Sequence, residues 1–257
     1  MRVATWNVNS VAARLPHVTA WLAEHQPDVL CLQEIKTETA RFPTAAFAEL
    51  GYTAAAHGQR TYNGVAILAR GELSDVARGF PGDDDGAPAR LIAANVGSVR
   101  VVNVYVPNGA PLGSERFTGK LAWLARLREY LARTAQVSGP LALCGDFNVA
   151  PEARDVFDPV ALASEVLFTP EERAAVQPLL AWGLVDSLRL HHPDAGLYSW
   201  WDYRQGAFRR NLGLRIDHIW VTPPLAAACT AAWIDVGPRR QERPSDHAPV
   251  VADFALD

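Results

Sequence analysis

A set of acidic and amide residues shares one setting in this chain. Asn7, Glu34, Asp146 with Asn148, Asp217 and Asp246 each close an apolar, strand-like run or stand in the turn just after it. In GDFNVAP, residues 145–151, Asp146 and Asn148 come directly after Leu141-Ala-Leu-Cys144. Strand ends converge where sheets pack, so side chains far apart in sequence can meet at one rim. Taken singly, each has a plainer use: Asn7 or Asn148 could form an Asx turn, and Glu34 could cap the helix or loop after it. Taken together, carboxylates crowded at an apolar rim repel one another and resist ionisation, a cost that a divalent cation removes. Mg²⁺ takes oxygen ligands, keeps several waters and binds through one or two carboxylates plus substrate phosphate oxygens. Glu34 and one or more of the aspartates meet that requirement. Zinc is disfavoured, because the 7 His and 3 Cys offer no ligand set at suitable spacing.

The stretch SDHAP, residues 245–249, adds an imidazole. Neighbours on an extended segment point to opposite sides, so Asp246 and His247 need different partners. Protonated, His247 can donate to a phosphoryl oxygen; neutral, it can take a proton from water. Either role improves when a carboxylate orients the other ring nitrogen. Asp217, in RIDH, is the candidate orienter, which leaves Asp246 for metal or water. His57, His191 and His192 lack such company and are read as surface residues.

The elements that must position these groups emerge from periodicity. Strands are predicted over 2–7, 28–33, 52–56, 65–70, 89–96, 99–106, 141–144, 199–203, 215–221, 231–236 and 249–254. An amphipathic helix is expected over 14–24. The clearest helix lies behind a Ser114 cap, where Phe117, Leu121, Leu124, Leu127 and Leu131 form one stripe. A short helix is predicted over 170–182, with Thr169 as its cap and Pro170 as its first residue. This order suggests an α/β architecture: two sheets packed face to face with helices outside, in two similar halves.

Composition sets the outer bounds. At 257 residues and 49% hydrophobic content the chain can bury a large core, and it is read as a single domain over 1–257. It shows neither the apolar core of a signal peptide nor a run of about 20 apolar residues, so a cytoplasmic protein with no membrane segment is expected. Cys31, Cys144 and Cys229 lack CxxC spacing and are expected to be inert. The net charge of −4 argues against binding nucleic acid by bulk charge, although Arg204, Arg209, Arg210 and Arg215 cluster locally.

In order along the chain, TWNVNS, LCLQEIK, VYVPNG, GDFNVAP, GLRIDH and SDHAPV resemble the motifs of the exonuclease III family of abasic-site endonucleases. The match spans essentially the whole chain. The resemblance implies a four-layer α/β sandwich shared with the wider endonuclease/exonuclease/phosphatase superfamily. It implies Mg²⁺ or Mn²⁺ held chiefly by Glu34, with Asn7 and Asp246 nearby, and Asp146 activating or aligning the attacking water. It further implies that Asn148 and Tyr105 contact the scissile phosphate, with Asn108 close by, and that His247 paired with Asp217 stabilises charge on a phosphoryl oxygen. Which of Asp146 and His247 takes the water's proton stays open.

In the resembled family, residues from the YSWWDYRQGAFRRNLGLRID region wall a pocket for an abasic sugar swung out of the helix; here these are Trp200 and Leu214. A tight apolar pocket of this kind admits a ring without a base. Arg204, Arg209, Arg210 and Arg215 flank it and are expected to grip phosphates without reading sequence. The implied partner is double-stranded DNA with abasic sites or blocked 3′ ends, cut by a monomer with endonuclease, 3′-to-5′ exonuclease and 3′-phosphatase activity. One departure concerns the loop Ala110-Pro111-Leu112-Gly113, which carries no basic residue before Arg116, whereas some relatives have one there. Two rivals share part of this pattern: a superfamily phosphoesterase acting on an inositol phosphate or a sphingolipid, and a catalytically silent DNA-binding module. The Trp and Arg content of 198–217 speaks against the first, and the full complement of chemical residues against the second.

Overall fold

The computed structural model describes residues 1–256. Twelve strands and six α-helices alternate through them. In chain order they are β1 (Arg2–Asn7), α1 (Val11–His25), β2 (Val29–Gln33), α2 (Thr44–Ala48), β3 (Thr53–His57), β4 (Val65–Ala69), β5 (Ser74–Arg78), β6 (Leu91–Val96), β7 (Val99–Tyr105), α3 (Glu115–Thr134), β8 (Leu141–Asp146), α4 (Pro170–Ala181), β9 (Val185–Asp186), α5 (Ser187–His191), β10 (Asp217–Val221), α6 (Pro223–Ala228), β11 (Cys229–Ile234) and β12 (Val250–Phe254). The caps expected from sequence are present. Ser114 Oγ accepts from Phe117 N at the start of α3, and Thr169 forms a reciprocal capping box with Glu172 ahead of Pro170.

The strands make two six-stranded mixed sheets, ordered β11-β12-β1-β2-β4-β3 and β5-β6-β7-β8-β10-β9. Both share the same pairing pattern: one central parallel pair, β1 with β2 or β7 with β8, flanked on each side by antiparallel neighbours. The expected likeness of the two halves is realised in this pattern. Val3, Val29, Cys31 and Ile67 of the first sheet pack against Val101, Ala142, Cys144 and Ile219 of the second, which puts the main core between the sheets. Trp21 and Leu22 of α1 cover the outer face of the first sheet, and Leu124, Leu127 and Val176 of α3 and α4 cover the second. This is the four-layer α/β/β/α sandwich.

A buried polar cluster sets how the sheets sit on each other. Gln33 Nε2 donates to Thr5 Oγ1 (2.8 Å) and across the interface to Asn103 Oδ1 (2.7 Å). The Asn103 amide in turn donates to the carbonyls of Leu32 (2.9 Å) and Ala66 (2.8 Å). Hydrogen bonds between the sheets in an otherwise apolar layer favour one sheet-to-sheet alignment just beneath the strand ends.

The segment 199–203 is not a strand. Trp200 makes only isolated bridges, to Leu214 and His247. The reason lies in Ser199, whose Oγ accepts from Ile216 N (3.1 Å) and Asp217 N (3.0 Å), so a side chain takes backbone donors that a ladder would have used. The helix stripe also departs from expectation at one place: Lys120, not Leu121, is the buried member. Edge strand β5 and the short helices α2, α5 and α6 lie outside the elements expected from periodicity. Their apolar patterns are too polar or too brief to show a period.

Candidate active site

Parallel pairing carries the chemistry to one rim. Asn7 ends β1 and Glu34 comes just after β2, while Tyr105 ends β7 and Asp146 ends β8. The carboxyl ends of both parallel pairs, one from each sheet, open on the same side. Register then adds Asp217, directly across from Asp146 on the antiparallel strand β10. His247 reaches the rim on the approach to β12, its carbonyl accepting from Trp6 Nε1 (3.2 Å), while Ser245 Oγ donates to Asn7 O (2.6 Å).

The structure brings Asn7, Glu34, Asp146, Asn148, Asp217 and His247 into one bonded cluster. Ligand atoms of Glu34, Asp146 and His247 lie within 4.8 Å of one another. Asn7 Nδ2 donates to both Glu34 Oε1 (2.9 Å) and Asp146 Oδ2 (2.9 Å). His247 Nδ1 donates to Asp217 Oδ2 (2.8 Å), which also accepts from Ser199 Oγ (2.7 Å), and its Nε2 faces Asp146 Oδ2 at 3.9 Å. Asn148 N donates to Asp146 Oδ1 (2.8 Å), its Nδ2 donates to Val106 O (3.0 Å), and its Oδ1 accepts from Asn108 Nδ2 (3.2 Å). Glu34 and Asn148 both hold left-handed backbone, at φ 49 each. Asn tolerates that region; Glu does so at a cost, which marks a site where geometry is imposed by the surroundings.

The electrostatics show excess negative charge. Burial, then the charge of Asp217, push Asp146 up to about 7. Burial works against charge on His247, but Asp217 and Asp146 outweigh it and push the imidazole up to about 10. Burial likewise opposes ionisation of Glu34, yet the Lys36 ammonium, 2.8 Å from Oε2, and the Asn7 amide hold its carboxyl below the usual range. Tyr105 keeps its proton, raised by burial and by the Glu34 and Asp146 carboxylates, and Arg90 lies over its ring at 4.6 Å. Oxygen donors with more negative charge than the protein itself offsets fit a hard divalent cation.

Asp246 stands apart from the Glu34, Asp146 and His247 group. Its oxygens already accept from Trp200 Nε1 (3.0 Å) and Asn9 Nδ2 (3.0 Å). Trp200 and Leu214 do share a cavity, of about 600 Å³, with Phe157, Leu162, Leu167 and Leu212. A second cleft, of about 890 Å³, opens beside Glu34, Tyr105 and Asn108 and is lined by Lys36, Arg90 and Arg116. Arg209 and Arg210 are exposed, as is Arg204, which is paired to Asp202.

The expected grouping of Arg215 with these three exposed arginines is corrected by its burial. It is 1% exposed, bonded through Nε to Asp155 Oδ1 (2.7 Å) and through Nη1 to Asp186 Oδ2 (2.7 Å). Its side chain lies beneath β10, where those two carboxylates satisfy it, and it cannot reach a ligand. Sequence reasoning assigns no role to Lys36, Asn9, Ser199 and Lys120. Lys36 stands two residues from Glu34, a spacing that would put both on one side of an extended segment; nothing in the sequence signals the others.

Residues 4–247 match the model of the endonuclease/exonuclease/phosphatase family. The chain is 38% identical to exodeoxyribonuclease III of Haemophilus influenzae, over 99% of this chain and all of that protein. Among solved structures, an AP endonuclease from Archaeoglobus fulgidus superposes with a TM-score of 0.97 at 43% identity, each chain covered completely. The 3′ phosphatase NExo from Neisseria, solved bound to a product DNA hairpin, does so with a TM-score of 0.96 at 46% identity, again over the whole of both chains. A match of this extent in sequence and in fold means that the chain belongs to the endonuclease/exonuclease/phosphatase family, within its exodeoxyribonuclease III and AP endonuclease branch.

Proposed function

We propose that this protein is a DNA repair nuclease that hydrolyses phosphodiesters at abasic sites and removes 3′-blocking groups, with Mg²⁺ or Mn²⁺ as its metal. The observation that carries the reading is the convergence of Glu34, Asp146 and His247 within 4.8 Å at a rim flanked by an apolar cavity on one side and a basic cleft on the other. Glu34 would hold the metal, with the Asn7 amide beside it. The cation supplies charge neutralisation at phosphate oxygens and orients the reacting groups.

The chain's own residues do the rest. The Asp146 carboxylate, buried and backed by Asn7 and Asn148, aligns the attacking water. His247, kept protonated by Asp217, donates to a phosphoryl oxygen as charge grows there. The amides of Asn148 and Asn108 and the Tyr105 phenol supply further donors, held before the substrate arrives, so little reorganisation is required during reaction. An abasic sugar swung out of the duplex enters the Trp200 and Leu214 cavity, where shape excludes an intact nucleotide. Arg204, Arg209 and Arg210 meet phosphates on either side.

The test is a duplex carrying one abasic-site analogue beside an undamaged duplex, each incubated with the protein in Mg²⁺ and in EDTA. Incision of the first duplex alone, in Mg²⁺ alone, is expected. Equal cutting of both duplexes would sink the lesion specificity, and cutting in EDTA would sink the metal requirement.

A further inference from the structure

Outside the cluster of reacting groups, the chain buries one lysine completely. Lys120 of α3 and Glu172 of α4 are both 0% exposed and form an ion pair. The ammonium has three acceptors: Glu172 Oε1, the carbonyl of Asn148 (2.6 Å) and the carbonyl of Asn108 (3.1 Å). The carboxylate is equally engaged, accepting from Leu167 N (3.0 Å), Thr169 N (3.0 Å) and Thr169 Oγ1 (2.8 Å). One ion pair therefore joins the loop after β7, the loop after β8 and the entry to α4.

Two further features show that the surroundings are built around this pair. Gly109, at φ +88, leaves room for the lysine stem, since a Cβ there would come within 2.8 Å of Lys120 Cδ. Leu167 holds left-handed backbone at φ 84, which a branched apolar residue rarely adopts. It is kept there by bonds on both sides, its N–H to Glu172 and its carbonyl to Ala150 N (2.7 Å). Leu167 also lines the cavity that contains Trp200 and Leu214.

We propose that Lys120 and Glu172 are positioning residues that lock the amide donors Asn108 and Asn148 to the Leu167 wall of the apolar cavity, so that donors and cavity move as one unit. Resting on the abasic-site reading above, this means that a sugar seated in the cavity is in register with the donors only while the pair is intact. A misplacement on the order of 1 Å at such donors costs roughly a hundredfold in rate.

The test compares wild type with Lys120→Met and with the double variant Lys120→Met/Glu172→Gln. Steady-state kcat and KM are read on the abasic-analogue duplex, and thermal midpoints are measured alongside. The single variant strands a buried carboxylate and is expected to melt lower. The double variant removes both charges and is expected to regain most of that loss. On the proposal, kcat stays down by about tenfold or more in the double variant while KM moves by less than about threefold. A smaller fall in kcat, or a kcat that returns together with the thermal midpoint, overturns the proposal and leaves the pair merely structural. If Lys120→Met fails to fold, the double variant decides alone. If wild type does not cut the duplex, the activity reading fails instead. Hydrogen exchange at the Leu167 and Ala150 amides of the double variant then decides: acceleration of about tenfold or more sustains the coupling, and anything less overturns it.

Discussion

Side chains in this protein show their use through what they are bonded to. Asn148 is wedged between Asp146, Val106 and Asn108, so its amide is aimed before any substrate arrives. We expect Asn148→Ala to keep DNA affinity while single-turnover cleavage falls by about 10² to 10³; unchanged cleavage would remove Asn148 from the chemistry. A different residue contributes an acid sensitivity of its own. His218 Nδ1 accepts from Arg215 Nη1 (3.0 Å), which leaves Nε2 to donate to Val149 O (3.0 Å). Burial, then the Arg215 guanidinium, push this imidazole down to about 4. In the unfolded chain it protonates near 6.5, so between those values this group binds more protons in the unfolded chain and its contribution to stability falls as pH falls, whereas Asp146, raised to about 7, contributes in the opposite sense. The shift is worth roughly 3 kcal/mol. On lowering the pH from about 7 to about 5, the urea midpoint of His218→Gln should shift toward greater stability relative to the shift seen in wild type, and an equal change in both would refute the assignment. Arg215 teaches the limit of sequence reading at this scale. It stands in a run rich in exposed arginines, and only the fold reveals that Asp155 and Asp186, distant in sequence, enclose it.

Elements deliver these residues through pairing direction and close approach. β8 is the clearest case, because Gly145 sits between Cys144 and Asp146 at φ +147, and a Cβ there would lie 2.0 Å from the carbonyl oxygen of Val104 on the neighbouring strand. Backbone cannot yield as a side chain can, so Gly145→Ala should cost about 3 kcal/mol or more and displace Asp146; a denaturation midpoint equal to wild type would show that β8 tolerates the change. Much of this scale is legible in the sequence. Strongly apolar strands such as β2, β4 and β8 announce themselves by composition, α3 by its stripe and cap, and α4 by its cap and first-turn proline. Polar groups placed just past those strands mark the rim, since strand ends are where such groups can meet without breaking a core. Where sequence and structure part, the reason is physical in each case. The 199–203 segment has strand-like composition, but Ser199 diverts its neighbours' hydrogen bonds, and Lys120 occupies a core position that helix periodicity assigns to an apolar residue.

The molecule as a whole carries a net charge of −4, which repels a polyanion at long range, so affinity for DNA must come from a local face. Arg209 and Arg210 lie exposed on the segment that also lines the apolar cavity. Binding should therefore weaken as salt rises, and if each guanidinium meets one phosphate as proposed, Arg209→Ala or Arg210→Ala should reduce the slope of log K against log salt by about 0.9. Slopes identical to wild type would show that these guanidinium groups face only water. The strand order has a consequence for synthesis. β12 inserts between β1 and β11, so the stretch bearing His247 joins strands made early only after the entire second sheet has been translated. Until that late insertion, Asn7 and Glu34 have no imidazole beside them. On the proposed reading of His247, a growing polypeptide on the ribosome is disarmed by its own topology, and the capacity to cut a genome emerges together with the closing of the fold.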